Sequence, residues 1–231
     1  LVVALIALTF IPIGRGIEAA YAPTTIVASS IPARSQISDW MEVLNWMKEN
    51  LPKDAIVASW WDYGYWISIV AGKISLADNG TINSTQIAQL GRMFMSTEND
   101  ALVILKKYDA QYVVVFTTIN QAQGGQFLFG DEVKWRWMAQ IGWNSTADKP
   151  LEDTTITSQL AQAWKQVTQD TALQQWYNQF AKYALPKADR VLTKLMIHGS
   201  YPGAFPALVP NRFQLVYSSS RRFVFVYKVD Y

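Results

Sequence analysis

The chain has 231 residues, of which 50% are hydrophobic and 13% aromatic, with 20 basic against 18 acidic side chains. So much apolar mass excludes a disordered chain, and a net charge of +2 gives no electrostatic basis for binding nucleic acid. The absence of Cys excludes disulfides and thiol catalysis, and a single His argues against a His-based metal cluster or a Ser-His-Asp triad.

The first residues form an apolar run. Residues 1–13, LVVALIALTFIPI, carry no charge, but a helix needs about 20 such residues to cross a bilayer. We predict that residues 1–14 are the end of a transmembrane helix whose start precedes Leu1, and that residues 15–231 form a single C-terminal globular domain. The core of a signal peptide and a buried apolar helix are the alternatives.

The next segment predicts a helix followed by a strand. Asp39, with Glu42 three residues later, is typical of a helix N-terminus, and Pro52 ends the helix. The short apolar run 55–59 predicts a buried strand, and the letters WWDYGYW follow it directly.

Helical and strand patterns alternate along the rest of the chain. Residues 111–117 give the strongest strand pattern, continuous and β-branched, which predicts burial on both faces. The other predicted strands are 75–77 and a closing hairpin of 213–217 and 223–229. The predicted helices are 84–95, 98–108, 131–141, a long stretch 157–184 broken near Asp170, and a last helix with Pro186 near its first turn and Gly199 as its C-terminal cap. These patterns predict a mixed α/β fold, mostly helical with a small buried sheet.

The run WWDYG, Trp60–Gly64, is where the sequence indicates binding chemistry. Two adjacent indoles and an Asp follow a buried strand, in the kind of loop that carries functional groups. An indole N–H can only donate and an ionised carboxylate can only accept, so Trp60, Trp61 and Asp62 can saturate one aliphatic hydroxyl. Such a site rejects a ligand without the hydroxyl by roughly 10⁴-fold or more. The alternative is that the indoles are ordinary core and Asp62 caps the following helix.

Taken with WWDYG, three further stretches resemble the catalytic subunit of oligosaccharyltransferase, the membrane enzyme of asparagine-linked protein glycosylation. DNGTINSTQIAQLGR, residues 78–92, is similar to the family's DNNTWNNTHIA segment. KADRVLTKLMI, residues 187–197, resembles the family's DxxKxxx(M/I) helix motif. The closing FQLVYSSS and FVFVYKV resemble the family's C-terminal strands, so the resemblance covers nearly the whole chain.

The resemblance implies a role for each residue of WWDYG. In the family, WWD binds the hydroxyl of the Ser or Thr that lies two positions after the acceptor Asn. That role falls on Trp60, Trp61 and Asp62. Tyr63 and Gly64 complete the motif, and we expect Gly64 to permit a sharp turn.

The resemblance also assigns the helix motif to the same pocket. Asp189 and Met196 fit its first and last positions, and Leu192 stands where the family has Lys. The family places this fourth position against the methyl group of the Thr. We therefore expect Leu192 to make that apolar contact, and Thr to be preferred over Ser.

The reaction and the partners follow from the same resemblance. It implies transfer of oligosaccharide from a lipid-phosphate or lipid-pyrophosphate carrier of the dolichol type to Asn in an acceptor polypeptide. The family uses Mn²⁺ or Mg²⁺ held by carboxylates in the membrane half, so we expect the metal ligands outside this chain and the chain alone to be inactive. We further expect a monomeric, single-subunit archaeal enzyme that crosses the cell membrane many times, with this soluble C-terminal domain on the extracellular face.

Three Asn-X-Thr sequences occur in the chain itself. They begin at Asn79, Asn83 and Asn144, and each is a possible glycosylation site if the domain faces outward.

Two other functions compete with this interpretation. One is a Trp-rich carbohydrate-binding module, and the other is a structural domain anchored to a membrane. A carbohydrate-binding module needs exposed aromatic platforms, whereas the helical patterns place Trp40, Trp137 and Trp164 on apolar faces.

Overall fold

The computed structural model describes residues 37–143 and 151–231. The predicted membrane segment 1–14, the connection that follows it and Asn144 lie outside the described residues, so the domain boundary at residue 15 stays a prediction. Residues 39–231 form one compact unit. No helix in the described ranges has both the length and the apolar composition needed to cross a bilayer.

The helices account for about half of the described chain. They are α1 (Ile37–Asn50), α2 (Ser84–Met95), α3 (Glu98–Lys107), α4 (Asp131–Trp143), α5 (Thr155–Gln166), α6 (Thr171–Phe180) and α7 (Val191–Ser200). Short 3₁₀ turns at Trp61–Tyr63, Ile119–Gly124 and Pro206–Leu208 and one π-helical turn at Trp66–Val70 connect them with the strands.

The strands form one mixed sheet and one small pair. They are β1 (Ile56–Ala58), β2 (Ile74–Ser75), β3 (Tyr112–Phe116), β4 (Glu152–Asp153), β5 (Leu185–Pro186), β6 (Phe213–Ser218) and β7 (Val224–Val229). The sheet order is β2-β1-β3-β7-β6, with β4 and β5 paired separately. β1 runs parallel to β2 and β3, whereas β7 runs antiparallel to β3 and β6. The predicted fold class, mostly helical with a small buried sheet, is confirmed.

The core of the domain lies on the two central strands. Residues 113–116 of β3 and 224–227 of β7 are 0% exposed, as expected for strands covered on both faces. Helix α7 packs closely on β7 because Gly199 has no side chain: a Cβ there would stand 2.7 Å from the ring of Phe225. The predicted cap role of Gly199 is therefore wrong, since the residue lies inside α7 and serves helix–sheet packing.

The chain between 155 and 200 also departs from its sequence pattern. The long helix is broken at Asp170, as predicted, and Asp170 caps α6 by accepting from the N–H groups of Ala172 and Leu173 at 2.8 and 3.1 Å. Pro186 does not begin a helix. It lies in β5 opposite Glu152, and the last helix begins only at Val191.

Two acidic side chains of α1 hold the closing hairpin. Glu42 accepts from the hydroxyl of Tyr217 at 2.7 Å and from the N–H of Ser220 at 3.1 Å. Asp39, which is 2% exposed, accepts from Nε of Arg221 at 2.7 Å. These carboxylates join α1 to the β6–β7 turn, a role that the capping interpretation of Asp39 and Glu42 did not predict.

Candidate functional site

The WWDYG run begins two residues after β1 ends, at the carboxyl end of that strand. β3 is parallel to β1, so its carboxyl end and the residues after it, Thr117 and Thr118, lie at the same edge of the sheet. Ligands of α/β sheets bind at this kind of edge, because the loops that leave parallel strands meet there. The topology thus places WWDYG where a binding loop is expected.

Gly64 fixes the WWDYG turn against the segment that follows β2. Its φ of −58° is open to any residue, so the expected need for a special turn conformation is not what selects glycine. A Cβ at this position would overlap the carbonyl oxygen of Ala77 and stand 2.5 Å from the Cα of Asp78. Close backbone approach therefore explains Gly64, and it joins WWDYG to the DNGT segment at residues 78–81.

We expect Gly64→Ala to lower the free energy of unfolding by roughly 2 kcal/mol or more, because backbone atoms must move to admit the methyl group. The matched control is Gly124→Ala, since a Cβ at Gly124 meets no atom within 4 Å. Urea unfolding of both variants is the measurement. Equal stability of the two variants would contradict the packing explanation.

The two indoles lie side by side at the start of the turn. Trp60 is 2% exposed and Trp61 is half-buried, and their ring centroids are 6.2 Å apart. Neither indole N–H meets a hydrogen-bond acceptor within the described residues. Neither N–H is fully enclosed in the way that Nε1 of Trp40 is, so both keep an unused donor.

Asp62 is held by a lysine from a distant helix. Oδ2 of Asp62 lies 2.5 Å from Nζ of Lys134 in α4, and the two side chains are only 12% and 10% exposed. Oδ1 of Asp62 accepts no hydrogen bond from the part of the chain that the structure describes. One oxygen of the carboxylate thus pairs with an ammonium ion, and the other has no hydrogen-bond donor among the described residues.

Tyr63 connects Lys134 to a buried carboxylate in the core. Its hydroxyl lies 3.0 Å from Nζ of Lys134 and donates to Oδ1 of Asp131 at 2.7 Å. Oδ2 of Asp131 accepts from the N–H of Phe116, the last residue of β3, at 2.9 Å. Burial raises the pKa of Asp131 to about 7, against the lowering effects of the Lys134 ammonium and of the two hydrogen bonds. Burial, followed by the charge of Asp131, raises the pKa of Tyr63 well above its usual value, so the phenol stays protonated.

Glu132 binds the loop that leaves β3. It is 0% exposed and accepts from both hydroxyls of Thr117 and Thr118, at 2.7 and 2.5 Å, and from the N–H of Gly130 at 2.9 Å. The first turn of α4 therefore carries two buried carboxylates that fasten the helix to the end of β3. This anchoring places Lys134 over Tyr63 and Asp62.

The family resemblance also assigned Asp189, Leu192 and Met196 to the WWDYG site. The structure places Leu192 and Met196 in the core at 0% exposure. Asp189 is exposed, pairs with Arg190 at 3.2 Å, and lines a cavity of about 240 Å³. Within the described ranges no hydrogen bond or ion pair joins residues 189–196 to residues 60–64.

The residues that do meet WWDYG match the same motif. The α4 sequence DEVKWRWM fits DxxKxxx(M/I) with Asp131, Lys134 and Met138, and here the fourth position is the family's Lys. Asp131 and Lys134 both contact Tyr63, while Met138 is 0% exposed. The sequence interpretation missed these residues, although their spacing was the signal that could have found them.

The glycosylation candidates differ in their surroundings. Asn83 is exposed and caps α2, since its side-chain oxygen accepts from the N–H of Gln86 at 3.0 Å. Asn79 is half-buried in a tight turn in which the N–H of Thr81 donates to the carbonyl of Asp78 at 3.1 Å. The sequon at Asn144 lies outside the described residues.

The carboxylates of the site do not fit a divalent ion. Among residues 37–143 and 151–231, no group of three or more Asp, Glu or His side chains could hold a metal. Asp62 is paired with an ammonium ion, and Asp131 and Glu132 are committed to hydrogen-bond donors.

The aromatic side chains are only partly as expected. Trp40 and Trp164 are buried, at 1% and 5% exposure. Trp137 is 64% exposed, so the apolar helical face on which the sequence placed it does not bury this indole. The apolar residues of α4 surround the helix, and the pattern alone did not indicate which of them face the core.

The chain is similar to oligosaccharyltransferase catalytic subunits. The Schizosaccharomyces pombe dolichyl-diphosphooligosaccharide–protein glycosyltransferase subunit stt3 is 35% identical over 143 residues, which cover 60% of this chain and 18% of that protein. The corresponding STT3 subunit of Dictyostelium discoideum is 38% identical over 128 residues, covering 53% and 17%. The chain thus spans less than a fifth of the length of these curated relatives.

The fold has a counterpart among solved structures. Archaeal oligosaccharyltransferase AglB from Archaeoglobus fulgidus, in complex with an inhibitory peptide and a dolichol-phosphate, superposes with a TM-score of 0.50 at 18% identity, over 78% of this chain and 23% of that chain. At this identity the likeness shows a shared fold. Residues 53–191 match the family described as the STT3/PglB/AglB core domain. The chain belongs to the STT3/PglB/AglB core-domain family.

Proposed function

We propose that this chain is the acceptor-recognition part of an oligosaccharyltransferase, and that Trp60, Trp61 and Asp62 bind the hydroxyl of Asn-X-Ser/Thr. The observation that carries the proposal is the set of open polar groups on adjacent residues. Two indole N–H groups lack acceptors among the described residues, and beside them one carboxylate oxygen of Asp62 lacks a donor. A hydroxyl has one proton to donate and two lone pairs to fill, so it fits this set.

The charge on Asp62 suits this role. An ionised carboxylate accepts a hydrogen bond more strongly than a neutral acceptor, and the Lys134 ammonium compensates that charge in a place where only about a tenth of each side chain is exposed. We propose that Asp131, Lys134 and Met138 form the DxxKxxx(M/I) motif of this chain. The contacts of Asp131 and Lys134 with Tyr63 favour this assignment over Asp189, Leu192 and Met196, whose Leu and Met side chains are buried in the core.

The remaining parts of the proposal come from family membership. We propose that the substrates are an acceptor polypeptide and an oligosaccharide on a dolichol-type lipid phosphate or pyrophosphate. The Mn²⁺ or Mg²⁺ ion that would polarise the reacting groups is then held by residues outside this chain, in a multi-pass membrane part. The proposal includes an archaeal, monomeric enzyme with this domain on the extracellular face, and modification of Asn79, Asn83 or Asn144 as a consequence of that location.

The hydroxyl requirement is testable with isosteric peptides. We expect the full-length protein to glycosylate an Asn-X-Thr peptide with a kcat/KM at least 10³-fold above that for Asn-X-Val, because Val has the shape of Thr and cannot pair with the three polar groups. The measurement is transfer of a lipid-linked oligosaccharide to each peptide under matched conditions. Similar values for the two peptides would reject hydroxyl recognition and leave a general peptide- or sugar-binding domain.

A further inference from the structure

A series of polar contacts runs from Asp62 into the core. Asp62 Oδ2 lies 2.5 Å from Lys134 Nζ, Lys134 Nζ lies 3.0 Å from the Tyr63 hydroxyl, and that hydroxyl lies 2.7 Å from Asp131 Oδ1. Tyr63 and Asp131 are both 0% exposed, whereas Asp62 is at the surface end. These contacts thus connect the carboxylate of Asp62, which we propose binds the hydroxyl, to the fully buried carboxylate of Asp131.

When Asp131 is ionised, the direction of each hydrogen bond in this series is fixed by chemistry. An ammonium ion has only donors, so the Tyr63 oxygen must accept from Lys134. The single proton of Tyr63 is then directed at Asp131, which also accepts from the N–H of Phe116. Nζ of Lys134 in addition lies 4.7 Å from the centroid of the Tyr63 ring, within the range of a cation–π contact. Tyr63 and Asp131 together therefore define one place for the ammonium ion.

This placement decides which oxygen of Asp62 meets a ligand. If Lys134 were free to move, its ammonium could take either carboxylate oxygen or both, and compete with the incoming hydroxyl. Held by the Tyr63 oxygen, it contacts Oδ2 and leaves Oδ1 open. A pocket that is already arranged for its ligand binds more tightly, because less ordering remains to be done on binding.

We propose that Tyr63 and Asp131 are positioning residues for acceptor binding, which hold the Lys134 ammonium on one oxygen of Asp62 and keep the other oxygen available to the acceptor hydroxyl. This inference rests on the proposed function. It differs from a purely structural role for Tyr63, whose ring packs 4.6 Å from Trp40 and 6.0 Å from Phe116, because that packing involves the ring and not the hydroxyl.

Tyr63→Phe separates the two roles, since it keeps the ring and removes the hydroxyl. We expect this variant of the full-length protein to lose about 10-fold in kcat/KM for an Asn-X-Thr peptide, mainly through a higher KM, with Asn-X-Val unchanged. The control is Tyr183→Phe, because the Tyr183 hydroxyl donates to the carbonyl of Glu132 at 3.0 Å and so supports the same helix without touching Lys134. The control should keep the wild-type ratio of Thr to Val peptide.

A second variant tests whether the loss of activity in Tyr63→Phe comes from unfolding. Tyr63→Phe leaves Asp131 Oδ1 without its donor, so we pair it with Asp131→Asn, whose amide oxygen can still accept from Phe116. The double variant should remain folded, with a single cooperative urea transition, and show the same 10-fold loss with the Thr peptide. A wild-type Thr-to-Val ratio in both variants, or an equal loss in Tyr183→Phe, would overturn the inference. Absence of any Thr-to-Val preference in the wild-type protein would instead overturn the proposed function.

Discussion

Asp62→Asn is expected to lower kcat/KM for an Asn-X-Thr peptide by roughly 100-fold or more in the full-length protein. Under the proposed function, the variant loses the carboxylate that accepts from the acceptor hydroxyl, and an amide placed there can present its own donor instead. Asp54→Asn, on an exposed turn before β1, is the matched control and should leave turnover unchanged. The measurement is initial-rate transfer at several peptide concentrations.

The loss of the ion pair must be separated from the loss of the acceptor. Removing one member of a largely buried pair costs about 3–5 kcal/mol, because the other charge is left uncompensated. Asp62→Asn combined with Lys134→Gln removes both charges, so stability should recover while transfer to Asn-X-Thr stays low. Recovery of transfer in this double variant would show that Asp62 serves only to neutralise Lys134.

The buried Asp131 is expected to make the protein less stable as the pH rises from about 4 to about 7. Its folded pKa of about 7 lies above the usual value of 3.8, because burial disfavours the charged form. Between these values the folded chain holds a proton that the unfolded chain has released, so stability decreases with increasing pH and is level above pH 7. The total decrease is on the order of 4 kcal/mol.

Comparison with Asp131→Asn isolates this contribution. The charged and titratable groups that face Asp131 are Lys134, Tyr63 and Glu132. Elsewhere, burial lowers the pKa of His198. For Glu42, burial alone would raise the pKa, but hydrogen bonds from Ser220 and Tyr217 outweigh it and the pKa is lowered. Both shifts favour stability at higher pH, against the trend of Asp131. The urea midpoint of the wild-type protein minus that of Asp131→Asn, followed from pH 4 to 8, should therefore decrease between about pH 4 and pH 7. A constant difference would show that Asp131 is ionised in the folded protein at acidic pH.

Local sequence patterns predicted most of the elements. The helix at 84–95 and the strand within 111–117 follow from apolar periodicity and β-branched content, which act over a few residues. Pro186 was placed wrongly because its conformation depends on pairing with Glu152, 34 residues earlier in the chain, which no local pattern shows. Asp39 was interpreted as a cap for a similar reason, since its partner Arg221 lies 182 residues away.

The candidate site was only half predictable from the sequence. Hydrogen-bonding capacity, which depends on residue type and adjacency, made Trp60, Trp61 and Asp62 candidates, and the family resemblance assigned them to the hydroxyl. Lys134 is 72 residues from Asp62, and its motif is matched in full at 131–138 but only at the first and last positions at 189–196. Choosing between the matches requires knowing which helix packs on WWDYG, and that is a property of the tertiary structure. The reason for glycine at position 64 could not be predicted from the sequence either. Glycine is required there by the close approach of residues 77–78, and not by the φ angle of Gly64.

The most direct test of the account combines the isosteric peptides with the Asp62→Asn variant. The ratio of kcat/KM for Asn-X-Thr over Asn-X-Val is measured in the full-length protein with and without the substitution. If Asp62 accepts from the acceptor hydroxyl, the ratio falls by roughly 100-fold in the variant, and the fall comes from the Thr peptide alone. A variant that loses activity equally with both peptides, and so keeps the wild-type ratio, would show that the hydroxyl is recognised elsewhere.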